Sequence, residues 1–327
     1  MPASKQSVFR YSMHGLPLFR LNLLGILLCL ACSTAHAKHI YQYTDKDGVV
    51  HFTDVKPPDV QTGVKSTLVH AEARSLVRSR QDGTDDDRTI VMVNESGGPI
   101  TADVELQDAQ GVRSEPAVLP VRVVLPALSE TRVLHVVAVN AAAGFHYRYK
   151  YSYLPGDYRA QPNANTRCVV PFASNKPFRV SQAFNGEFSH RDAGSRYAVD
   201  IMMPEGTPIA AARDGIVMSV ENDYSGNGLD IDQYGDRANN VRLVHSDGSM
   251  TVYAHLQLES ARVQVGEHVH AGQVLALSGD TGYTNGPHLH FAVQRNTGAE
   301  IVSLPFQFIG AAGDFTPTEG MMISASP

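Results

Sequence analysis

The chain has 327 residues, a formal net charge of −6 and 43% hydrophobic residues. That length suggests two or three domains, and the apolar content can fill their cores. The mildly acidic balance excludes the basic footprint of a nucleic-acid binder, so no nucleic acid is expected as a partner.

The N-terminus has the layout of a secretory signal over residues 1–37. Lys5, Arg10 and Arg20 precede an apolar run at 21–31, and Ala35-His36-Ala37 fits the small-x-small cleavage pattern, leaving Lys38 as the mature start. The run is short for a membrane span. A periplasmic or secreted location is expected; the alternatives are an uncleaved anchor or lipid attachment at Cys32. Cleavage removes Cys29 and Cys32 and leaves Cys168, so no intrachain disulfide is expected. Cys168 reads as a buried, inert thiol, since no base accompanies it in sequence.

Residues 38–59 read as a small β-hairpin domain. Ile40-Tyr41-Gln42-Tyr43-Thr44 alternates, Asp45-Lys46-Asp47-Gly48 turns, Val49-Val50-His51-Phe52-Thr53 returns, and Pro57-Pro58 ends it. The pattern resembles a small domain of unknown function at the start of many proteobacterial envelope proteins. It implies an envelope setting and no known chemistry, so His39 and His51 read as plain strand residues. Residues 60–88 mix arginine with aspartate and read as a polar linker with a short helix near 71–79. Short strands bounded by turns over 89–160 suggest a β-sandwich-like domain. Within it, Tyr147, Tyr149, Tyr151 and Tyr153 share one strand face and read as a core or half-buried strand face. His135 and His146 receive no role. The peptidase-like region is placed at 165–310, with a long loop at 222–240 and a hairpin turning at Ser246-Asp247-Gly248. A loose tail is expected at 311–327.

The chemistry concentrates in that last region. In Gly286-Pro287-His288-Leu289-His290-Phe291, the two histidines stand two residues apart in a strand-like run, so both project from one face. Neutral imidazole is the common protein ligand for zinc. Upstream lie Tyr253-Ala254-His255-Leu256 and the acid of Ala198-Val199-Asp200. An acid, a lone strand histidine and a His-x-His pair in that order suit a mononuclear zinc hydrolase.

These pieces resemble the lysostaphin-type, or LytM-type, zinc endopeptidases that cut bacterial cell-wall peptides. The match also includes Gly206-Thr207-Pro208, Asp214-Gly215-Ile216-Val217, Ala271-Gly272-Gln273 and Gly279-Asp280-Thr281-Gly282, and spans about 175 to 300. The resemblance implies a mainly β fold with an antiparallel sheet of the duplicated-hybrid-motif kind, and one zinc per chain. It makes Asp200 and His290 two ligands. His255 and His288 become catalytic residues, as general base or as donors to the tetrahedral oxyanion, and Tyr253 offers a further hydroxyl. No small-molecule cofactor is expected.

One position departs from the family pattern. Relatives place a histidine four residues before the aspartate, where this chain has Arg196, and a guanidinium cannot ligate zinc. His190 is taken as the third ligand, with residues 191–196 looping out, and Asp192 is the second candidate. His245 reads as a hairpin-closing histidine, and His268 and His270 as surface residues. The implied function is hydrolysis of peptidoglycan stem or cross-bridge peptides. The competing reading is an inactive LytM-like regulator that binds and activates a wall amidase. The oligomeric state is open.

Overall fold

The computed structural model describes residues 7–8, 39–45, 49–53, 63–68, 75–163 and 165–325. Apart from Ser7–Val8, the expected signal segment lies outside the described residues. The chain divides into two compact units, residues 10–72 and a larger unit of 1–9 with 73–327.

The smaller unit is a three-stranded antiparallel sheet. Strand β1 (His39–Thr44) pairs on one side with β2 (Val50–Thr53) and on the other with β3 (Lys65–Leu68). Asp45 organises the turn: its carboxylate accepts from Val49 N at 2.9 Å and meets His51 Nε2 at 2.7 Å. The His51 ring stacks on Tyr43.

The expected linker at 60–88 is not one. Besides β3, the segment supplies β4 (Val77–Gly83) and the start of β5 (Asp87–Asn94). Charge misled the sequence reading here. On β4 the charged Arg78, Arg80 and Asp82 face out, while Val77 is fully buried, which is how an edge strand is patterned. The helix expected near 71–79 is absent from its described part, which pairs with β5 instead.

Residues 75–155 form a two-sheet sandwich. One sheet runs β4-β5-β9-β7, with β7 at Val112–Glu115 and β9 at Ser129–Ala138; the other contains β10-β6-β8, with β6 at Ile100–Gln110, β8 at Val121–Leu125 and β10 at His146–Pro155. Ser7–Val8 pairs along β10. Ile90, Met92, Ile100, Val104, Leu125 and Leu134 fill the core. The tyrosine stripe of β10 faces this core: Tyr149 and Tyr151 are buried, and their hydroxyls reach across to Ser79 and the Val77 carbonyl of the opposite sheet.

The C-terminal domain is built on a nine-stranded sheet with antiparallel neighbours. Its main elements in chain order, besides a short parallel pair of Asn227–Gly228 with Gly282–Tyr283, are β11 (Thr166–Cys168), β12 (Phe178–Gln182), β13 (Val199–Met202), β14 (Pro208–Ala210), β15 (Gly215–Glu221), the one-turn helix α1 (Ile231–Tyr234), β16 (Asn240–Val244), β17 (Met250–Ala254), β18 (His268–Val269), β19 (Val274–Leu277), β20 (His288–Asn296), β21 (Ile301–Leu304), β22 (Phe306–Phe308) and β23 (Met322–Ile323). The sheet order is β18-β15-β16-β17-β20-β13-β12-β23, with β21 also paired to β20. One face packs on the pairs β14–β19 and β11–β22 over a core of Val199, Ile201, Leu243, Tyr253, Leu289, Phe291 and Phe308. Cys168 lies in this core, where burial pushes its thiol up to about 12 and leaves it unreactive.

The tail expected to be loose closes this domain. Met322–Ile323 pairs with Phe178–Arg179, Ile323 is buried, and Phe315 packs on Phe308. Those apolar side chains outweigh the glycine and proline content of the segment.

The opposite face of the sheet is divided along its length. At one end Ile216, Met218, Val244 and Met250 join the sandwich core. At the other end it carries Asp200, His288 and His290 (next subsection). The junction is tight at Gly97, whose N–H donates to the Met218 carbonyl at 2.9 Å. A Cβ there would stand 2.1 Å from the Val217 oxygen and 2.6 Å from Gly266 N, both backbone atoms with no freedom to yield. Gly97→Ala is therefore expected to lower the melting temperature by the equivalent of about 1–3 kcal/mol. A thermal melt matching the wild type would show that the sandwich does not press on the sheet as described.

Candidate metal centre

The centre starts from a cross-strand pair. Asp200 of β13 stands directly opposite His290 of β20, so both side chains leave the same face of the sheet. His290 Nδ1 lies 2.8 Å from Asp200 Oδ1. His288, two residues earlier on β20, shares that face and brings Nε2 to 3.8 Å from the same oxygen.

His190 arrives from a loop. Residues 191–196 fold into turns, with Ser195 N and Arg196 N both donating to the Asp192 carbonyl. This lets the loop bulge out and return His190 to the sheet, 1% exposed, with Nε2 3.2 Å from Asp200 Oδ1. His190 Nδ1 donates to the Ala183 carbonyl at 2.8 Å, which leaves Nε2 facing the carboxylate. That atom is buried and makes no hydrogen bond of good geometry. Arg196, where the family resemblance leads one to expect a ligand, is exposed and contributes only backbone. Asp192 is exposed and accepts from Ser195 N, away from the cluster.

The donor atoms of His190, Asp200 and His290 all lie within 4.8 Å of one another. Two imidazole nitrogens and a carboxylate oxygen suit zinc, and three protein ligands leave a fourth position open. The further sign of fit is that the buried Nε2 of His190 faces only the Asp200 carboxylate, in poor hydrogen-bond geometry.

Electrostatics agree with that reading. Burial by itself would raise the Asp200 carboxyl, but the imidazoles of His190 and His290 outweigh it and hold the group well below the usual carboxylate range. Burial likewise opposes protonation of His190, and the adjacent Asp200 overcomes it, so the ring is held above its ordinary value. The place where that proton sits is where a divalent cation would sit.

Gln182 is a positioning residue that the sequence reading passed over. Its Nε2 donates to Asp200 Oδ2 at 3.0 Å and to Ser189 Oγ at 2.7 Å. Its Oε1 accepts from the backbone N–H of Phe188 and Ser189. One amide thus ties the His190 loop to the carboxylate. Gly186 leaves room for it, since a Cβ there would fall 2.1 Å from Gln182 Cγ. Phe188 also stacks on Tyr283 and joins the His190 loop to the loop before β20. No local sequence signal marks Gln182, because its partners are 7 and 18 residues away.

His255 and His288 stand beside the three candidate ligands, with ring centroids 4.5 Å apart. His255 Nδ1 donates to the Thr281 carbonyl at 2.7 Å and His288 Nδ1 to the Gly286 carbonyl at 2.8 Å. In both rings this leaves Nε2 as the free nitrogen, and that of His288 faces Asp200 at 3.8 Å. Burial, with His288 and His290 nearby, pushes His255 down to about 3, so it stays neutral. Beyond His255 a polar cleft is lined by Glu205, Asn227, Gln257, Asp280 and Thr281.

Tyr253 does not reach the centre. His255 lies just past β17 with φ +61, which breaks the strand alternation that would put both residues on one face. Tyr253 is fully buried in the core, and its hydroxyl accepts from Ala212 N at 2.7 Å. His245 is also structural. Its Nδ1 donates to the Asp214 carbonyl and its Nε2 meets the Thr251 hydroxyl. His268 and His270 are exposed at the far edge of the sheet.

Comparison with known proteins bears on the same segment. Residues 194–301 match Peptidase family M23, and residues 26–73 match a domain of unknown function, DUF4124. The chain carries an M23 peptidase domain. Over 124 residues it is 35% identical to the glycyl-glycine endopeptidase ALE-1 of Staphylococcus capitis, covering 37% of this chain and 31% of that protein. Over 137 residues it is 36% identical to the peptidoglycan DD-endopeptidase ShyC of Vibrio cholerae, covering 41% and 27%. The chain thus spans about a third or less of these curated relatives. The solved catalytic domain of lysostaphin from Staphylococcus simulans is 27% identical, with 43% of this chain and 88% of that chain covered and a TM-score of 0.27. The M23 match begins after His190, so the histidine nearest the unusual spacing lies outside it.

His245 gives the M23 domain a pH dependence. Burial pushes it down to about 4, below its value in the unfolded chain, so it is neutral when folded. Its stabilising contribution is complete above about pH 6.5 and is lost as pH falls through 4, by an order of 3 kcal/mol at most. In thermal melts, the wild type should lose its advantage over His245→Gln across that window. A constant difference between the two from pH 7 to pH 4 would contradict this.

Proposed function

We propose that the chain is an envelope zinc endopeptidase that hydrolyses peptide bonds in peptidoglycan stem or cross-bridge peptides. The observation that carries the reading is the convergence of five groups on one end of a sheet face. Three are candidate ligands in a buried cluster, and two are imidazoles beside it whose free nitrogen is Nε2. The M23 match and the endopeptidase names of its relatives support the reaction class. The signal-like N-terminus supports a periplasmic or secreted location. Among the described residues no helix is long and apolar enough to cross a membrane.

His190, Asp200 and His290 would hold the metal, which when bound supplies Lewis acidity to water and to the scissile carbonyl. His255 and His288 then handle protons. Each has its Nδ1–H committed to a backbone carbonyl, which leaves Nε2 to accept a hydrogen bond from the attacking water; the base role falls to His288, since burial holds His255 neutral. Gln182 keeps Asp200 oriented throughout. The reading as a metal-free regulator of a wall amidase rested on Arg196, and that side chain lies outside a cluster that has its three donors without it.

The purified mature protein should carry about one zinc per chain. His190→Ala and His290→Ala should lose it, whereas Arg196→Ala should keep it. His255→Ala and His288→Ala should keep zinc and lose release of soluble fragments from sacculi, by about 100-fold or more. Full zinc content in His190→Ala would remove His190 from the ligand set. Zinc-loaded wild type that cleaves no wall preparation would overturn the hydrolytic reading.

A further inference from the structure

Arg242 is a half-buried arginine on the site's own sheet face. On β16 it stands opposite Val252 of β17, which stands opposite Ala292 of β20. Ala292 is two residues from His290, so Arg242 projects from the same face as His290 and Asp200. With strands about 4.8 Å apart and residues about 3.4 Å apart, its Cα lies roughly 12 Å from that of His290. Two residues further along β16, Val244 is already covered by the sandwich. Arg242 is therefore the first residue of β16 on this face beyond that cover, on the side toward His290.

Its charge is uncompensated. Arg242 Nη1 donates to the neutral Gln294 Oε1 at 2.7 Å, and among the described residues it forms no ion pair. Burial alone acts on it and pushes the guanidinium down to about 10. Elsewhere in this unit arginines hold carboxylates: Arg122 with Asp103, Arg159 with Asp157, Arg167 with Asp314 and Arg213 with Asp247. Arg242 differs from these in being desolvated with only an amide for a partner. Gln294 orients it, since its Nε2 donates to the Gly194 carbonyl in the loop that leaves His190. The guanidinium is thereby linked through Gln294 to the loop that carries His190. One N–H is committed to Gln294, and the rest of its fork remains for a ligand.

We propose that Arg242 is a specificity-determining residue of the groove, pairing with a free carboxylate carried by the bound wall peptide. This rests on the peptidase reading for the identity of the substrate. An extended peptide advances about 3.3 Å per residue, so the carboxylate lies within about four residues of the scissile bond. The planar fork accepts a carboxylate bidentately, and a desolvated, preoriented guanidinium loses little on binding it.

The test uses cross-linked muropeptides released from sacculi by a muramidase. One portion is left as free acid and one is amidated with carbodiimide and ammonium. The zinc-loaded full chain should cleave the free acid about tenfold more efficiently than the amide, with the difference mainly in KM. Arg242→Gln should lose that preference and fall about tenfold on the free acid. Arg242→Lys, which keeps the charge without the fork, should fall between them. Calorimetric binding of both forms to the metal-stripped chain should follow the same order. Equal treatment of acid and amide by the wild type, or an intact preference in Arg242→Gln, overturns the assignment and leaves hydrolysis standing. Acid-selective binding that depends on Arg242, with no cleavage of either form, keeps the assignment and overturns hydrolysis. Absence of both cleavage and selective binding overturns the two together.

Discussion

A single buried carboxylate sets the terms for the C-terminal domain. Asp200 is 7% exposed and stands within reach of the imidazoles of His190, His288 and His290. A charge in that position must be compensated, and the compensation comes from two chain segments, one paired to Asp200 within the sheet and one that the sheet alone would not bring there. The cross-strand register supplies His290, the same strand supplies His288, and a looped-out segment supplies His190. Gln182 then ties the loop to the carboxylate. The donor cluster is therefore preorganised by backbone pairing and by one amide, as a site that must hold a cation in fixed geometry requires.

The face that carries this cluster has two environments. Toward β15 and the start of β17 it is apolar, and the sandwich covers it through Met218, Val244 and Met250. Toward β13 and the start of β20 it is polar and carries the centre. The division is written into single strands: β17 presents Met250, Val252 and Ala254 on this face, and β20 presents His288, His290, Ala292 and Gln294. The sandwich thus occupies the far end of the face and leaves the histidine end uncovered by its own core. Arg242 is the first residue of β16 on this face beyond that cover.

The His-x-His pair, the lone His255 and the acid at 200 were legible in the sequence because strand alternation and residue chemistry are local properties. So were the β-rich class, the β16–β17 hairpin and the inert Cys168. Other features depended on partners distant in the chain. Polar β4 is a strand because β5 supplies its hydrogen bonds and Val77 has a core to enter. The tail is ordered because Phe315 and Ile323 find Phe308 and β12. Tyr253 leaves the centre because the backbone turns at His255, a conformation that no spacing rule foretells.

The sequence by itself determined which side chains were available for the chemistry and which strands carried them, since composition and period two are read residue by residue. Only the tertiary structure decided that His190 reaches Asp200 while Arg196 points to solvent. It also decided that Gln182 joins them and that Arg242 shares their sheet face without a counter-charge. Those facts arise from register, loop closure and burial, which depend on contacts between residues far apart along the chain.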